Sequence, residues 1–327
     1  MYYMVNIGKS RNLLECSREI INYSGIQRSE RFDKKTFDPA KIIDELYVKS
    51  PKLVSLLQNI EELDARDYSK DRKLYKHFIY SSVQKGYGSK IIASAMIAAG
   101  YKLILKPEGS NIVIDEDIIR MKDEAKLALL SSTAIWNTPT SPKLTKQILS
   151  VYNDREKNIY GDAVRFIIAD SGYKEGVDLF DVKYVHIFED QIAQSDITQA
   201  HGRALRYCGQ KGLPFQANEG WRVHIYNYSL FVVKDNENIP ILKFLLDKDK
   251  TIGFNSTFEK SITDSIKRAA VDSELNKNIN DYVNKKPEFG NSLSRYSKIA
   301  IGTVIAATGI ASTFLGRYYF KKREVKK

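Results

Sequence analysis

From Ser50 to Leu230 short apolar runs alternate with helical patterns, and this alternation restricts the possible folds more than any other feature. His77–Ser82, Leu127–Ser132, Val164–Ala169, Tyr184–Phe188 and Trp221–Leu230 read as strands by length and apolar content. Ser50-Pro51 opens a helix with Leu53, Leu56, Leu57 and Ile60 on one face, proline being preorganised for the first helical position. Ser89–Ala99 is a small-residue helix that Gly100 stops, and Ser141-Pro142 opens a helix to about Asn153. Ser195 is placed to cap a further helix through Arg206. Strands alternating with helices pair in parallel, because each crossover helix returns the chain to the same end of the sheet. The expected fold class is α/β, with a mostly parallel sheet flanked by helices.

Composition narrows the partners. The 327 residues are 43% hydrophobic and 28% charged, an ordinary balance that supports a buried core and excludes a disordered chain. A net charge of +11 favours a polyanion, either nucleic acid or an acidic membrane surface. Cys16 and Cys208 are the two cysteines, far apart and without metal-ligand spacing, so reduced thiols in a cytosol-like compartment are expected. Met1–Asn12 has no sustained apolar run, and no signal peptide is expected there.

Chemistry concentrates in Val164–Gly212. Asp170-Ser171-Gly172-Tyr173-Lys174-Glu175-Gly176-Val177-Asp178-Leu179 follows a strand directly. That order sets a glycine-rich turn and an acid at the carboxyl end of a parallel strand, where open α/β sheets bind ligands. About twenty residues on comes Gln199-Ala200-His201-Gly202-Arg203-Ala204-Leu205-Arg206. Arg203 and Arg206, three apart on a helix, share a face. Two guanidiniums approachable past Gly202 suit a triphosphate held by another surface, since arginine stabilises charge on a transferring phosphoryl group. Taken singly, such a turn is most often only a turn, and such an arginine pair most often a solvated face. Their order and their strand–turn–helix setting together give the functional reading. His77, His186 and His201 read as packed or structural rather than catalytic.

This block resembles motifs V and VI of superfamily 2 helicases, with His77–Ser82 where motif IV belongs. Glu175–His186 and Cys208-Gly209-Gln210-Lys211-Gly212 resemble, more narrowly, the helicase-like proteins of nucleocytoplasmic large DNA viruses, relatives of the poxvirus early-transcription ATPases. The resemblance covers about Ser50–Leu230 and implies the second RecA-like domain of a helicase. It implies Arg206 as the arginine finger, Arg203 as its partner at the γ-phosphate, and Gln199 as the link between the nucleotide site and its neighbours. Gly176 and Asp178 would lie at the domain interface, Asp178 near the ribose or the coupling network. Ser171 and Gly172, with Ser81 and Ser82, would approach the nucleic-acid backbone and position a strand without reading its sequence.

The other half of such a motor is not found in the sequence. Gly8-Lys9-Ser10 supplies only the tail of a phosphate-cradling loop, with Tyr3 where its first glycine belongs. Ile112-Val113-Ile114-Asp115-Glu116-Asp117 mimics an acidic Walker B strand but follows motif IV, so it reads as part of an insertion at about 101–126. The expectation is ATP shared with a partner polypeptide that carries the first RecA domain, with Mg²⁺ on the partner side only. The alternative is a helicase-derived module that binds nucleic acid or protein at a membrane without hydrolysis.

The organisation expected is a lead-in over 1–49 and the RecA-like domain over 50–233. A polar helical extension over 234–290 follows, then a transmembrane segment over 299–316 and a basic tail over 317–327. Ile299–Leu315 is uncharged and spans roughly 25 Å as a helix, the short end for a hydrocarbon core of about 30 Å. Tyr318–Phe320 and the following Lys/Arg cluster suit a membrane interface, and Gly302 and Gly309 suit close helix approach. Membrane association is expected, single-pass or tail-anchored, with the α/β domain in a host cytoplasm or virion interior.

Overall fold

A computed structural model of the chain describes residues 19, 21–32, 37–84, 86–173, 177–189, 202–205, 209–215, 217, 220–234 and 237–241. The 299–316 segment lies outside them, as does the 234–290 extension beyond residue 241. Among the described residues, no helix is long and apolar enough to cross a membrane.

Two helices lead into the sheet. Helix α1 (Pro39–Lys49) is capped by Asp38 and α2 (Pro51–Asp71) by Ser50, whose hydroxyl accepts from the Leu53 amide at 3.2 Å. Strand β1 (Lys76–Ser81) is buried along its whole length, and α3 (Ser89–Ala98) follows it, ending before Gly100 at φ +103°. Next come β2 (Lys102–Leu103), β3 (Leu105–Glu108), β4 (Asn111–Ile114) and a single-turn helix α4 (Glu116–Arg120). Strand β5 (Lys126–Leu130) leads to α5 (Pro142–Tyr152), capped by Ser141, and then to β6 (Phe166–Asp170). Strands β7 (Val182–Ile187) and β8 (His224–Asn227) complete the main sheet.

That sheet has six strands in the order β2-β5-β6-β1-β7-β8, every pairing parallel. The α/β parallel-sheet expectation holds. The order also contains a switch point. The connection leaving β1 runs to the β2 edge, whereas the connection leaving β6 crosses β1 to reach β7. Adjacent strands β6 and β1 thus send their chains in opposite directions, and open α/β sheets bind ligands in a crevice outside the carboxyl ends at such a point.

Local pairing departs from the sequence reading in the extension and not in the 101–126 stretch. Ile112–Ile114 lies there in an antiparallel β3–β4 hairpin. Asp115 there caps α4 through the Asp117 amide and takes Lys106 Nζ at 3.1 Å. The helical extension expected from Lys234 begins otherwise: β9 (Phe231–Lys234) and β10 (Glu237–Pro240) pair antiparallel. Antiparallel backbone pairing of Phe231–Lys234 with Glu237–Pro240 stands where the helix was expected to start.

Each sheet face carries one unusual buried set. On one, Lys76 Nζ donates to the Tyr152 carbonyl of α5 at 2.8 Å, and burial pushes its ammonium down to about 8. On the other, beneath α2, His77 Nδ1 lies 2.9 Å from His186 Nε2, and His186 Nδ1 lies 2.8 Å from the Tyr228 hydroxyl. Asn59 Nδ2 donates to that hydroxyl at 2.7 Å. Two neutral imidazoles satisfy this chain: Tyr228 donates to His186, and His186 Nε2–H donates to His77 Nδ1. His77 Nε2 then faces Asp64 Oδ1 at 3.6 Å, while Arg165 pairs with the same carboxylate.

Two predictions follow from this packing. Burial holds both imidazoles well below their ordinary range, with Arg165 and Lys183 adding to the effect at His77 and His77 adding to it at His186. The unfolded chain protonates them below about pH 6.5 and the folded chain does not. Stability is therefore full above that pH and falls on acidification, by at most about 1.4 kcal/mol per pH unit for each ring. Asp64 acts in the opposite sense, since burial raises its carboxyl. Urea titrations at pH 7.5 and 5.5 read the fall, and imidazole NMR at pH 5.5 should show two neutral rings; a protonated ring contradicts the network. Separately, Ser141→Ala removes the 3.1 Å bond from the Leu144 amide and should cost about 1 kcal/mol in the same titration.

Candidate functional site

Four parallel strands end at the crevice, and two buried carboxylates join them in pairs. Asp170, the last residue of β6, accepts from Ser131 Oγ at 3.1 Å and the Ser132 amide at 2.8 Å, just past β5. Its other oxygen takes the Gly172 amide at 3.0 Å. Burial raises the Asp170 carboxyl, and these three bonds oppose the rise. Glu189, just past β7, plays the same part for β1. It accepts from Ser81 Oγ at 2.6 Å, the Ser82 amide at 2.7 Å and Asn22 Nδ2 at 2.6 Å.

Both ends use a Ser-Ser pair, Ser81-Ser82 and Ser131-Ser132. The first serine donates its hydroxyl and the second its amide to an acid on the neighbouring strand. Ser81 is fully buried, so its hydroxyl shapes the rim from behind. Ser82 and Ser171 are half-buried and Gly172 is exposed, at the ends of the two strands that flank the switch point. Gly172 has no room for a side chain, because a Cβ there would sit 2.2 Å from Ser132 Cβ.

A second locus forms where the connection from β6 returns to β7. Asn153, at the C-terminus of α5, holds that connection with both ends of its amide. Its Nδ2 donates to the Asp178 carbonyl and its Oδ1 accepts from the Phe180 amide, each at 2.8 Å. Asp178 is exposed, and between it and Phe180 the Leu179 amide donates to the Arg203 carbonyl at 3.2 Å. Arg203 is only 9% exposed, and its Nε finds no hydrogen-bond partner among the described residues. A buried guanidinium N–H left unpaired is costly, so Arg203 stands out among the described residues of this locus.

Of the residues singled out from sequence, Ser81, Ser82, Ser171 and Gly172 lie at one sheet edge, and Asp178 and Arg203 at the second locus. Gly176, Gln199 and Arg206 lie outside the described residues. Sequence reasoning missed Glu189, Asp170 as a strand tie, Asn153, Arg155, Asp181 and Gln210. The twin Ser-Ser pairs closing two apolar runs were the signal for the first two. Nothing local marks the others.

The likeness to known proteins lies in sequence. The chain is 34% identical over 151 residues to one protein of Acanthamoeba polyphaga mimivirus described as an ATP-dependent RNA helicase, covering 46% of this chain and 24% of that protein. A second mimivirus protein so described is 29% identical over 184 residues, covering 52% and 22%. A killer-plasmid helicase of Kluyveromyces lactis is 29% identical over 119 residues, covering 36% and 19%. The matched region thus spans about a quarter or less of the length of these curated relatives. No family model matches the chain. Among solved structures, the C-terminal part of the Fun30 ATPase domain is 14% identical over 61% of this chain and 45% of that one. Its TM-score is 0.36, too slight a likeness to carry an argument. The resemblance to helicases is therefore shown by sequence, and over part of its length the chain is similar to helicases encoded by a mimivirus and a yeast killer plasmid.

Proposed function

We propose that the described residues are the second RecA-like domain of a superfamily 2 ATP-dependent helicase or translocase, acting on nucleic acid in viral transcription or genome handling. The observation that carries this is Arg203: a buried guanidinium with an unpaired Nε, tied by its carbonyl to the turn beside exposed Asp178. A triphosphate fits that donor. Arg203 and Arg206 would set positive charge against the transferring phosphoryl group, and Asp178 would lie near the ribose or the coupling network. Gln199 and Gly176 complete the surface in this reading. The triphosphate and its Mg²⁺ would be held by a first RecA-like domain from outside these residues, because catalysis of this kind is positioning plus electrostatics across two surfaces.

The strand would run along the switch-point crevice. The Ser171 hydroxyl would donate to a backbone phosphate, beside Ser82 and Gly172, whose amides Glu189 and Asp170 hold in place, with Ser81 fixing the rim beneath them. Such contacts hold either nucleic acid without reading bases. Residues 299–316 would tether the motor to a membrane, with the domain in the cytoplasm or a virion.

ATP hydrolysis by the full chain mixed with a polypeptide bearing a first RecA domain is the test, with and without single-stranded RNA. The chain alone should be inactive and the mixture active, and Arg203→Ala should lower the rate about 10³-fold or more. Hydrolysis by the chain alone would sink the two-surface reading, while strand binding with no hydrolysis in any mixture would favour a helicase-derived tether. Gly172→Ala tests the crevice. The added Cβ meets Ser132, so the variant should lose about 1–3 kcal/mol of stability. It should also bind a single-stranded probe more weakly in fluorescence anisotropy at low salt. Wild-type binding should weaken steeply as salt is raised, in keeping with the +11 charge.

A further inference from the structure

The backbone that carries Arg203 is gripped at two successive carbonyls by groups from different parts of the chain. The Arg203 carbonyl accepts from the Leu179 amide, and the Ala204 carbonyl accepts from Gln210 Nε2. Helical geometry runs over Gly202–Ala204 and stops at Leu205, so these carbonyls stand where a helix leaves its acceptors unfilled. Gln210 is itself 7% exposed, and in its turn the Leu213 amide donates to its backbone carbonyl at 2.9 Å.

That turn is locked by an ion pair whose carboxylate is fully buried and whose guanidinium is partly exposed. Asp181 is fully buried at φ +59°, and its amide donates to the Gly209 carbonyl at 2.8 Å. Its carboxylate accepts from the Gly212 amide at 2.8 Å and from Arg155 Nε at 2.9 Å. Arg155 Nη2 donates to the same Gly209 carbonyl at 2.9 Å, and the guanidinium lies 4.9 Å from the centre of the Phe180 ring. Gly212 admits no side chain, since a Cβ there would come within 2.8 Å of the Asp181 carboxylate. Gly209, Gln210 and Gly212 are thereby held against the start of β7, and Gln210 reaches from them to the arginine segment.

We propose that Gln210, seated by the Arg155–Asp181 pair, is a positioning residue for Arg203. It fixes the backbone that aims the unpaired Nε at a phosphate. The inference rests on the reading of Arg203 as a phosphate-facing residue. A guanidinium donor misaimed by about 1 Å loses much of its effect on a bound anion, which is why a single backbone tie can matter at this point.

The test uses the full chain and tripolyphosphate as the probe, followed by NMR of arginine Nε–H groups, with Arg203→Lys identifying the Arg203 signal. In the wild type that signal should shift saturably with probe. Gln210→Met keeps the side-chain length and removes the donor, and should raise the probe concentration at half-shift roughly fivefold to tenfold. Arg155→Lys, which keeps the charge and loses the joint grip on Asp181 and Gly209, should act in the same direction and serves if Gln210→Met does not fold. A role confined to stability would lower the denaturation midpoint and leave the half-shift concentration unchanged. That result in both folded variants overturns the positioning role while Arg203 keeps its phosphate. A wild-type Arg203 signal indifferent to the probe overturns both this inference and the reading beneath it.

Discussion

Burying a carboxylate where parallel strands end is unfavourable unless hydrogen bonds replace the lost water, and the working edge of this sheet is organised by meeting that condition twice. Asp170 and Glu189 each recruit a hydroxyl and an amide from the strand alongside. The result joins β5 to β6 and β1 to β7 at their carboxyl ends, on the two sides of the switch point. Removing either acid would take the carboxylate acceptor from a backbone amide and the closer or charged acceptor from the serine hydroxyl before it. The crevice between β6 and β1 inherits its shape from these ties. Gly172 is pressed against Ser132, and its own amide reaches Asp170.

Elements whose causes are local were legible in the sequence. Asp38-Pro39, Ser50-Pro51 and Ser141-Pro142 each join a capping side chain to a residue already bent for the first turn, and each starts a helix. The apolar runs at His77, Leu127, Val164 and Tyr184 became buried strands because a parallel sheet covered on both faces tolerates no polar alternation. Strand order was not legible, because it depends on partners far along the chain. Strand β2 is two residues long and pairs only because β5 offers it an edge. The antiparallel pairing of Phe231–Lys234 with Glu237–Pro240 had a signal, the β-branched run Phe231-Val232-Val233 before Asp235-Asn236, which the polar stretch after it outweighed.

The candidate site divides in the same way. Strand-end position was enough to bring Ser81, Ser82, Ser171 and Gly172 to one edge. It was not enough to give the direction of the Ser81 hydroxyl, which is set by Glu189, 108 residues away. Asn153, Arg155, Asp181 and Gln210 each look in sequence like a solvated polar residue. Their common property is that they converge on the turns around Asp178 and Arg203, and convergence is a property of the fold.

The two loci share one stretch of backbone. The connection from β6 to β7 begins at Asp170, tied to the end of β5, and ends at Asp181, tied to Arg155 and Gly212. Its first residues line the switch-point crevice, and its last residues bond to Asn153 and to the Arg203 carbonyl. A ligand shifts an equilibrium only by as much as its contacts differ between two states, so shared backbone alone transmits nothing. What it does provide is fixed endpoints. With Asp170 and Asp181 both buried and bonded, a strand at Ser171–Gly172 and a phosphate at Arg203, as proposed, would act on the same short connection, between two bonded ends.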